Sequence, residues 1–184
     1  MELHTTRLLL REFAPADHPP VHAFASDPRV TRFTDWGPNT PEETTTFLRE
    51  VTHDARALPR TRFGLAVVER AEGLLVGSIE LRVTSAAHRR GTLGYALAPS
   101  RWGRGYATEA AAALLRYGFD GLGLHKINAT CDPDNLGSAR VLAKIGMRPE
   151  GHLRDQVRTR DGWRDRLLFA ALSTAGPTET VRPD

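Results

Sequence analysis

The chain has 184 residues, 40% hydrophobic and 26% charged, with a formal net charge of +3. That length suits one domain with a proper core and is short for two. No apolar run approaches the ~20 residues of a membrane span, and the modest charge forms no basic block interleaved with aromatics, so neither a membrane nor a nucleic acid is implied as partner.

Met1-Glu2-Leu3-His4 lacks the basic-then-apolar order of a secretory signal. Lysine stands only at Lys126 and Lys144, so arginine supplies the positive charge. Its planar fork suits phosphate and carboxylate groups, although genome composition produces the same bias. The single cysteine, Cys131, excludes an internal disulfide and a cysteine metal cluster. It fits a reducing cytoplasm and reads as a buried structural thiol rather than a nucleophile.

Arg7-Leu8-Leu9-Leu10-Arg11 is a short apolar run bounded by charge, a first strand. Asp17 offers a cap for a helix running toward Ser26. Thr40-Pro41-Glu42-Glu43 is a stronger start: Thr40 at the cap, Pro41 in the first helical position, and Glu43 closing a capping box. That helix should reach about Leu58 and stop before Pro59. Strands over 63–69 and 74–83 flank Ala71-Glu72-Gly73, a hairpin. In the second of them Ile79, Leu81 and Val83 share one face, and Ser78, Glu80 and Arg82 the other. A strand over 92–97 ends before Pro99.

Next comes the turn Trp102-Gly103-Arg104-Gly105, then a helix with Ala107, Ala110, Ala111, Leu114 and Gly118 at helical spacing and Gly121 as its stop. A strand over 126–131 leads through Asp132-Pro133-Asp134 into a helix lined by Ser138, Val141, Leu142 and Ile145 and ended by Gly146. Strands near 151–158 and 164–171 meet at Arg160-Asp161-Gly162. Residues 1–172 read as one domain of mixed α and β class, mostly antiparallel with one parallel pair, and 173–184 as a disordered tail.

Two constellations carry chemistry. Strand, glycine turn, helix presents unpaired backbone N–H groups to an anion, with the helix dipole behind them. Gly103 and Gly105 allow close approach, and Arg101 and Arg104 could add charge. The turn is not a Walker loop, since Tyr106-Ala107 follows Gly105, nor a dinucleotide fingerprint, since Thr108 stands where its third glycine belongs. A plain strand-to-helix connection would look alike. In the second constellation, Asn135-x-x-Ser138, Asn135 is a preferred cap residue. A serine on an inward apolar face needs a partner or a task.

With Gly94-Tyr95-Ala96-Leu97, the run from Trp102 to Ala110, and Asn135-x-x-Ser138-x-x-Val141-x-x-Lys144-x-Gly146-Met147, the chain resembles the GNAT superfamily of acetyl-CoA-dependent N-acetyltransferases. It most resembles the RimJ and RimL branch, which acetylates ribosomal-protein N-termini. The resemblance spans nearly the whole chain, from Thr6-Arg7-Leu8 to Trp163-Arg164-Asp165. It implies an α+β fold with a twisted, splayed, mostly antiparallel sheet of six to seven strands and about four helices. Pantetheine would enter between the strands over 92–97 and 126–131 and pair with the backbone of Leu97 and Ala98. Amides of Trp102, Gly103, Arg104, Gly105, Tyr106 and Ala107, with the Thr108 hydroxyl, would hold the pyrophosphate. Asn135 would contact the pantetheine arm, and Ser138 would donate to the leaving thiolate. No metal is implied.

Many relatives carry a glutamate base on the strand before the glycine turn; here residues 91–97 contain no carboxylate. Glu80 is the first substitute, ahead of Asp132 and Asp35, while Glu109 reads as a complement to the helix dipole. The loop at Asp35-Trp36-Gly37 and the turn near Arg160 would meet the acceptor. The implied acceptor is a primary amine, on a peptide N-terminus or a small molecule, and the implied state a monomer or homodimer. The competing reading is an acyl-CoA-binding module with reduced catalysis.

Overall fold

The computed structural model describes residues 1–159 and 161–173. In chain order the elements are β1 (Glu2–His4), β2 (Leu8–Arg11), α1 (His18–Ala25), α2 (Pro28–Thr31), α3 (Pro41–Asp54), β3 (Arg62–Glu69), β4 (Leu74–Ser85) and β5 (Arg90–Leu97). There follow α4 (Tyr106–Asp120), β6 (Lys126–Cys131), α5 (Leu136–Lys144), β7 (Arg148–Thr159) and β8 (Gly162–Leu172). The strands form one sheet in the order β1-β2-β3-β4-β5-β6-β8-β7. Among the described residues, only β5 and β6 run parallel, joined by the α4 crossover.

Helices cover both faces. On one, Leu65, Val67, Ile79, Leu81 and Ile127 pack against Ala110, Ala111 and Leu114 of α4 and Leu142 of α5. On the other, Ala66 and Val68 pack against Val21 and Phe24 of α1 and Leu48 and Val51 of α3. β3 therefore feeds alternate residues to two cores, which explains why Phe63-Gly64-Leu65-Ala66-Val67-Val68 reads as unbroken apolar sequence.

The fold class stands as expected, with one more strand and one more helix than the upper counts read from the sequence. The extra strand is β1, three residues that Leu3 pairs onto Leu10 of β2. The extra helix, α2, is a single turn begun by Asp27, whose carboxylate accepts the Arg29 amide at 2.8 Å. α3 ends at Asp54 rather than Leu58, because the chain tightens into turns in which the Arg56 and Ala57 amides donate to His53 O and Asp54 O, three residues back, at 3.0 and 3.2 Å.

Asp17 does not cap α1. Its carboxylate turns back to the Arg11 guanidinium, at 2.7 and 2.8 Å, and to the Ala14 amide at 2.8 Å. A bidentate ion pair outweighs a cap bond worth about 1 kcal/mol. The tail expected from residue 173 onward lies outside the described residues except for Ser173. Among the described residues, no helix is long and apolar enough to cross a membrane.

The capping box of α3 is present in both halves: the Glu43 amide donates to Thr40 Oγ1 at 3.2 Å, and the Thr40 amide to Glu43 Oε2 at 2.7 Å. Thr40→Ala should cost about 1 kcal/mol, lowering the melting temperature by about 2–4 °C in a chain of this size. An unchanged calorimetric melting temperature would mean that packing alone holds α3.

Candidate active site

The site begins where β5 and β6 part. Their ladder has three rungs, Arg90–Lys126, Gly91–Ile127 and Thr92–Asn128, and then stops, although β5 runs on to Leu97 and β6 to Cys131. The Ala98 amide donates to Val76 O at 2.9 Å, toward β4. Strand residues present their N–H and C=O to alternate sides. The backbone groups of Leu97 and Tyr95 therefore face the gap. One is already taken, since the Trp102 indole nitrogen donates to Leu97 O at 2.8 Å. Ala98 offers nothing to a ligand there: its carbonyl accepts the Arg101 amide at 2.9 Å.

At the end of β5 the glycine turn forms an amide cradle. Gly103 and Gly105 take φ of +74° and +80°, which glycine adopts without a Cβ clash. The first α4 bond runs from the Glu109 amide to Gly105 O, 3.0 Å. Among the described residues, the amides of residues 103 to 108 have no hydrogen-bond partner, whereas the Trp102 amide donates to Pro99 O at 3.2 Å. No heavy atom stands within 4 Å of where a Gly103 Cβ would be. Six consecutive free donors at a helix N-terminus make an anion nest.

The expected arginines divide. Arg104 is exposed on the cradle. Arg101 is turned away, its guanidinium 3.1 Å from Glu69 and 2.9 Å from Glu72. Glu69 also accepts from the Tyr106 hydroxyl, which anchors the first turn of α4 to the end of β3. Glu109 does more than complement the dipole. Its carboxylate takes the Thr5 hydroxyl at 2.6 Å and the Arg7 amide and Nε at 2.7 Å each. Burial alone would raise its pKa, but these donors outweigh burial and hold it below the usual 4.5.

Across the gap, Asn135 caps α5, with the Ser138 amide donating to its Oδ1 at 3.0 Å. The half-buried Ser138 hydroxyl lies 2.9 Å from the Tyr95 hydroxyl, which is also 3.3 Å from Ser138 O. This contact spans the gap from β5 to α5. Sequence reasoning missed Tyr95, though a signal was there: alternation puts it with Leu93 and Leu97 on a buried face, where a phenol needs a partner. Burial pushes its pKa from 10.0 up to about 12, against the opposing pull of the Ser138 bond.

On the opposite face of the sheet lies a cleft of about 1380 Å³, lined among others by Asp35, Trp36, Glu42, Glu50, Glu80 and Gly94. Glu80 stands opposite Gly94 in register, one strand from the gap. Nothing lies within 4 Å of a Cβ built on Gly94, so the cleft floor is open at this point. Both Glu80 oxygens have guanidinium partners, Arg62 at 2.6 Å and Arg82 at 3.3 Å. Asp132 is not in the cleft. It is 3% exposed and held by Arg166 at 3.1 Å, which explains why a carboxylate that looked available as a base is structural. Arg166 also donates to Phe33 O at 3.0 Å, fixing the loop before Asp35. Asp161 lines the cleft, while Arg160 lies outside the described residues. Among the described residues, no three His, Cys, Asp or Glu side chains group to hold a metal.

Residues 7–148 match the family model described as an acetyltransferase (GNAT) domain. The uncharacterized N-acetyltransferase YnaD of Bacillus subtilis (strain 168) is 36% identical over 173 residues, 94% of this chain and 97% of that one. Among solved structures, an acetyltransferase of the GNAT family from Bacillus anthracis has a TM-score of 0.83 at 33% identity, covering 95% of this chain and 100% of that one. Mycobacterium smegmatis RimJ in complex with CoA-disulfide has a TM-score of 0.79 at 28% identity, covering 90% and 82%.

Because the Tyr95 pKa is raised on folding, the stability contributed by its neutral phenol is complete below 10.0 and is lost as pH rises through about 12. Ultraviolet titration should show a tyrosine ionising near the upper value that is missing from Tyr95→Phe, apart from Tyr106, whose hydrogen bond to Glu69 also raises it. Three phenols titrating together near the ordinary value would contradict this environment.

Proposed function

The chain belongs to the GNAT family and is an acetyl-CoA-dependent N-acetyltransferase, and from that premise we propose that it acetylates a primary amine, on a peptide N-terminus or a small molecule, by direct attack on the thioester. The observation that carries this reading is the amide nest of residues 103 to 108, set at the mouth of a gap whose β5 edge faces inward. A diphosphate with an extended amide-bearing arm matches that pair of features: anion donors at one end, unsatisfied strand edge along the other.

When bound, acetyl-CoA supplies the activated acyl group. The amides of residues 103 to 108, the Thr108 hydroxyl and exposed Arg104 would hold its diphosphate. Leu97 and Tyr95, rather than Leu97 and Ala98, would present their backbone to the pantetheine arm, and the side-chain nitrogen of Asn135 would reach the same arm. The gap-facing Tyr95 N–H would stabilise a developing oxyanion. Ser138 would donate its hydroxyl hydrogen toward the leaving sulfur, with the Tyr95 hydroxyl supporting Ser138 Oγ. Glu80 would accept the amine proton through water after releasing one of its arginines. A reducing cytoplasm suits the buried thiol of Cys131.

The strength of base required depends on the acceptor. An α-amine of pKa ~7.7–8 is already about a tenth neutral near pH 7, whereas a lysine side chain at ~10.4 is neutral in well under ~1% of molecules. With no carboxylate on β5 and Glu80 paired, the site favours a low-pKa amine. Across a panel of peptide and small amines, a lysine side chain emerging as best acceptor would overturn that preference.

Acetyl-CoA at about 100 times its dissociation constant should stabilise the protein by about 2.7 kcal/mol, and Gly105→Glu should abolish the shift. No shift at any concentration would overturn the coenzyme assignment. Ser138→Ala should lower turnover by about tenfold to a hundredfold. Unchanged turnover would remove Ser138 from the mechanism, and binding without turnover on any amine would favour the module with reduced catalysis.

A further inference from the structure

The motif Thr6-Arg7-Leu8 lies about one hundred positions upstream of the glycine turn, yet the fold brings Arg7 against it. Arg7 Nη1 donates to Arg104 O at 2.9 Å, and Arg7 Nε forms an ion pair with Glu109 Oε2 at 2.7 Å. The guanidinium carbon lies 4.6 Å from the Tyr106 ring centroid, and Nη2 stands 3.4 Å from where a Gly105 Cβ would be. One planar group therefore touches the turn, the first residue of α4 and the first-turn carboxylate of α4.

In a trans peptide the carbonyl of one residue and the amide N–H of the next point in opposite directions. Holding the Arg104 carbonyl therefore fixes the direction of the Gly105 N–H. The peptide joining Arg104 to Gly105 has a left-handed glycine, Gly105, on its C-terminal side, and glycine opposes rotation of its neighbouring peptide planes least of all residues. Without an anchor, that plane can turn its carbonyl into the nest, where it would repel an anion. Glu109 in turn holds Arg7 by both its backbone amide and its side chain. Because that carboxylate offsets the guanidinium charge, the chief effect of Arg7 is orientation.

We infer that Arg7 is a positioning residue for the coenzyme diphosphate, acting through the Arg104 carbonyl to keep the Gly105 amide turned into the cradle. The inference rests on the coenzyme reading above and extends it to the N-terminal segment. It separates Arg7 from residues that hold the pantetheine arm, and ligands with and without the diphosphate distinguish the two roles.

The experiment is calorimetric binding of acetyl-CoA and of acetyl-pantetheine, which lacks the diphosphate, to the wild type, Arg7→Gln and Arg7→Lys. Arg7→Gln should weaken acetyl-CoA about tenfold, the loss expected for a charge-assisted hydrogen bond, and leave acetyl-pantetheine unchanged. Arg7→Lys should weaken acetyl-CoA nearly as much, because a single ammonium cannot hold the Arg104 carbonyl and Glu109 in one plane. Equal weakening of both ligands, no weakening of either, or full rescue by lysine would overturn the assignment. If Arg7→Gln lost its cooperative melting transition, the lysine variant would decide by the same comparison. A wild type that bound neither ligand would overturn the coenzyme reading itself, a result distinct from variants that bind like the wild type.

Discussion

Two parallel strands share three rungs and then separate, and the rest of the site depends on that separation. A complete β5–β6 ladder would satisfy the backbone of Tyr95 and Leu97 within the sheet and leave nothing for a ligand to pair with. The separation exposes a strand edge in the middle of an eight-stranded sheet, where edges are ordinarily absent. The cost of unpaired backbone is contained locally: the Trp102 indole satisfies Leu97 O, and the Tyr95–Ser138 contact joins the two sides.

Around this opening the sheet divides the chemistry by face. The amide nest and the open strand edge come from the end of β5 and the start of α4, with the cap of α5 across the gap. The cleft lies on the other face, bounded by α3 and the loop after α2, with Glu80 on its floor. Gly94 lies between them, a position without a side chain that leaves the cleft floor open beside the gap. Ion pairs set the boundaries. Arg166 joins Asp132 to the loop at Phe33, and Arg101 ties the approach to the glycine turn to the β3–β4 hairpin.

What could be read from the sequence was local. The capping box at Thr40 and Glu43 declares itself because both halves lie within one helical turn. The glycine turn does so because left-handed backbone selects glycine, and the Asn135 cap because cap and first turn are adjacent. What could not be read depends on partners far apart in sequence. Glu109 looked like a dipole complement because Thr5 and Arg7, its actual partners, lie more than a hundred positions upstream. Asp132 looked available because its locking arginine is on β8. Asp17 is the exception to distance: its partner Arg11 is only six positions away, and two local roles, cap and ion pair, competed for one carboxylate. That the Ala98 amide turns toward β4 was hidden as well, because the side to which each backbone group points follows from sheet register, which strand boundaries alone do not determine.

The alternation along β3 has a consequence for how the molecule opens. Because Leu65 and Val67 belong to one core and Ala66 and Val68 to the other, neither helical layer can detach without exposing a strand that the other layer needs. The two layers are thus one cooperative unit, and a ligand held on the α4 side also suppresses the opening of α1 and α3. Amide protons in those remote helices that exchange only through the shared opening are slowed together with those of α4, with no contact to the ligand required.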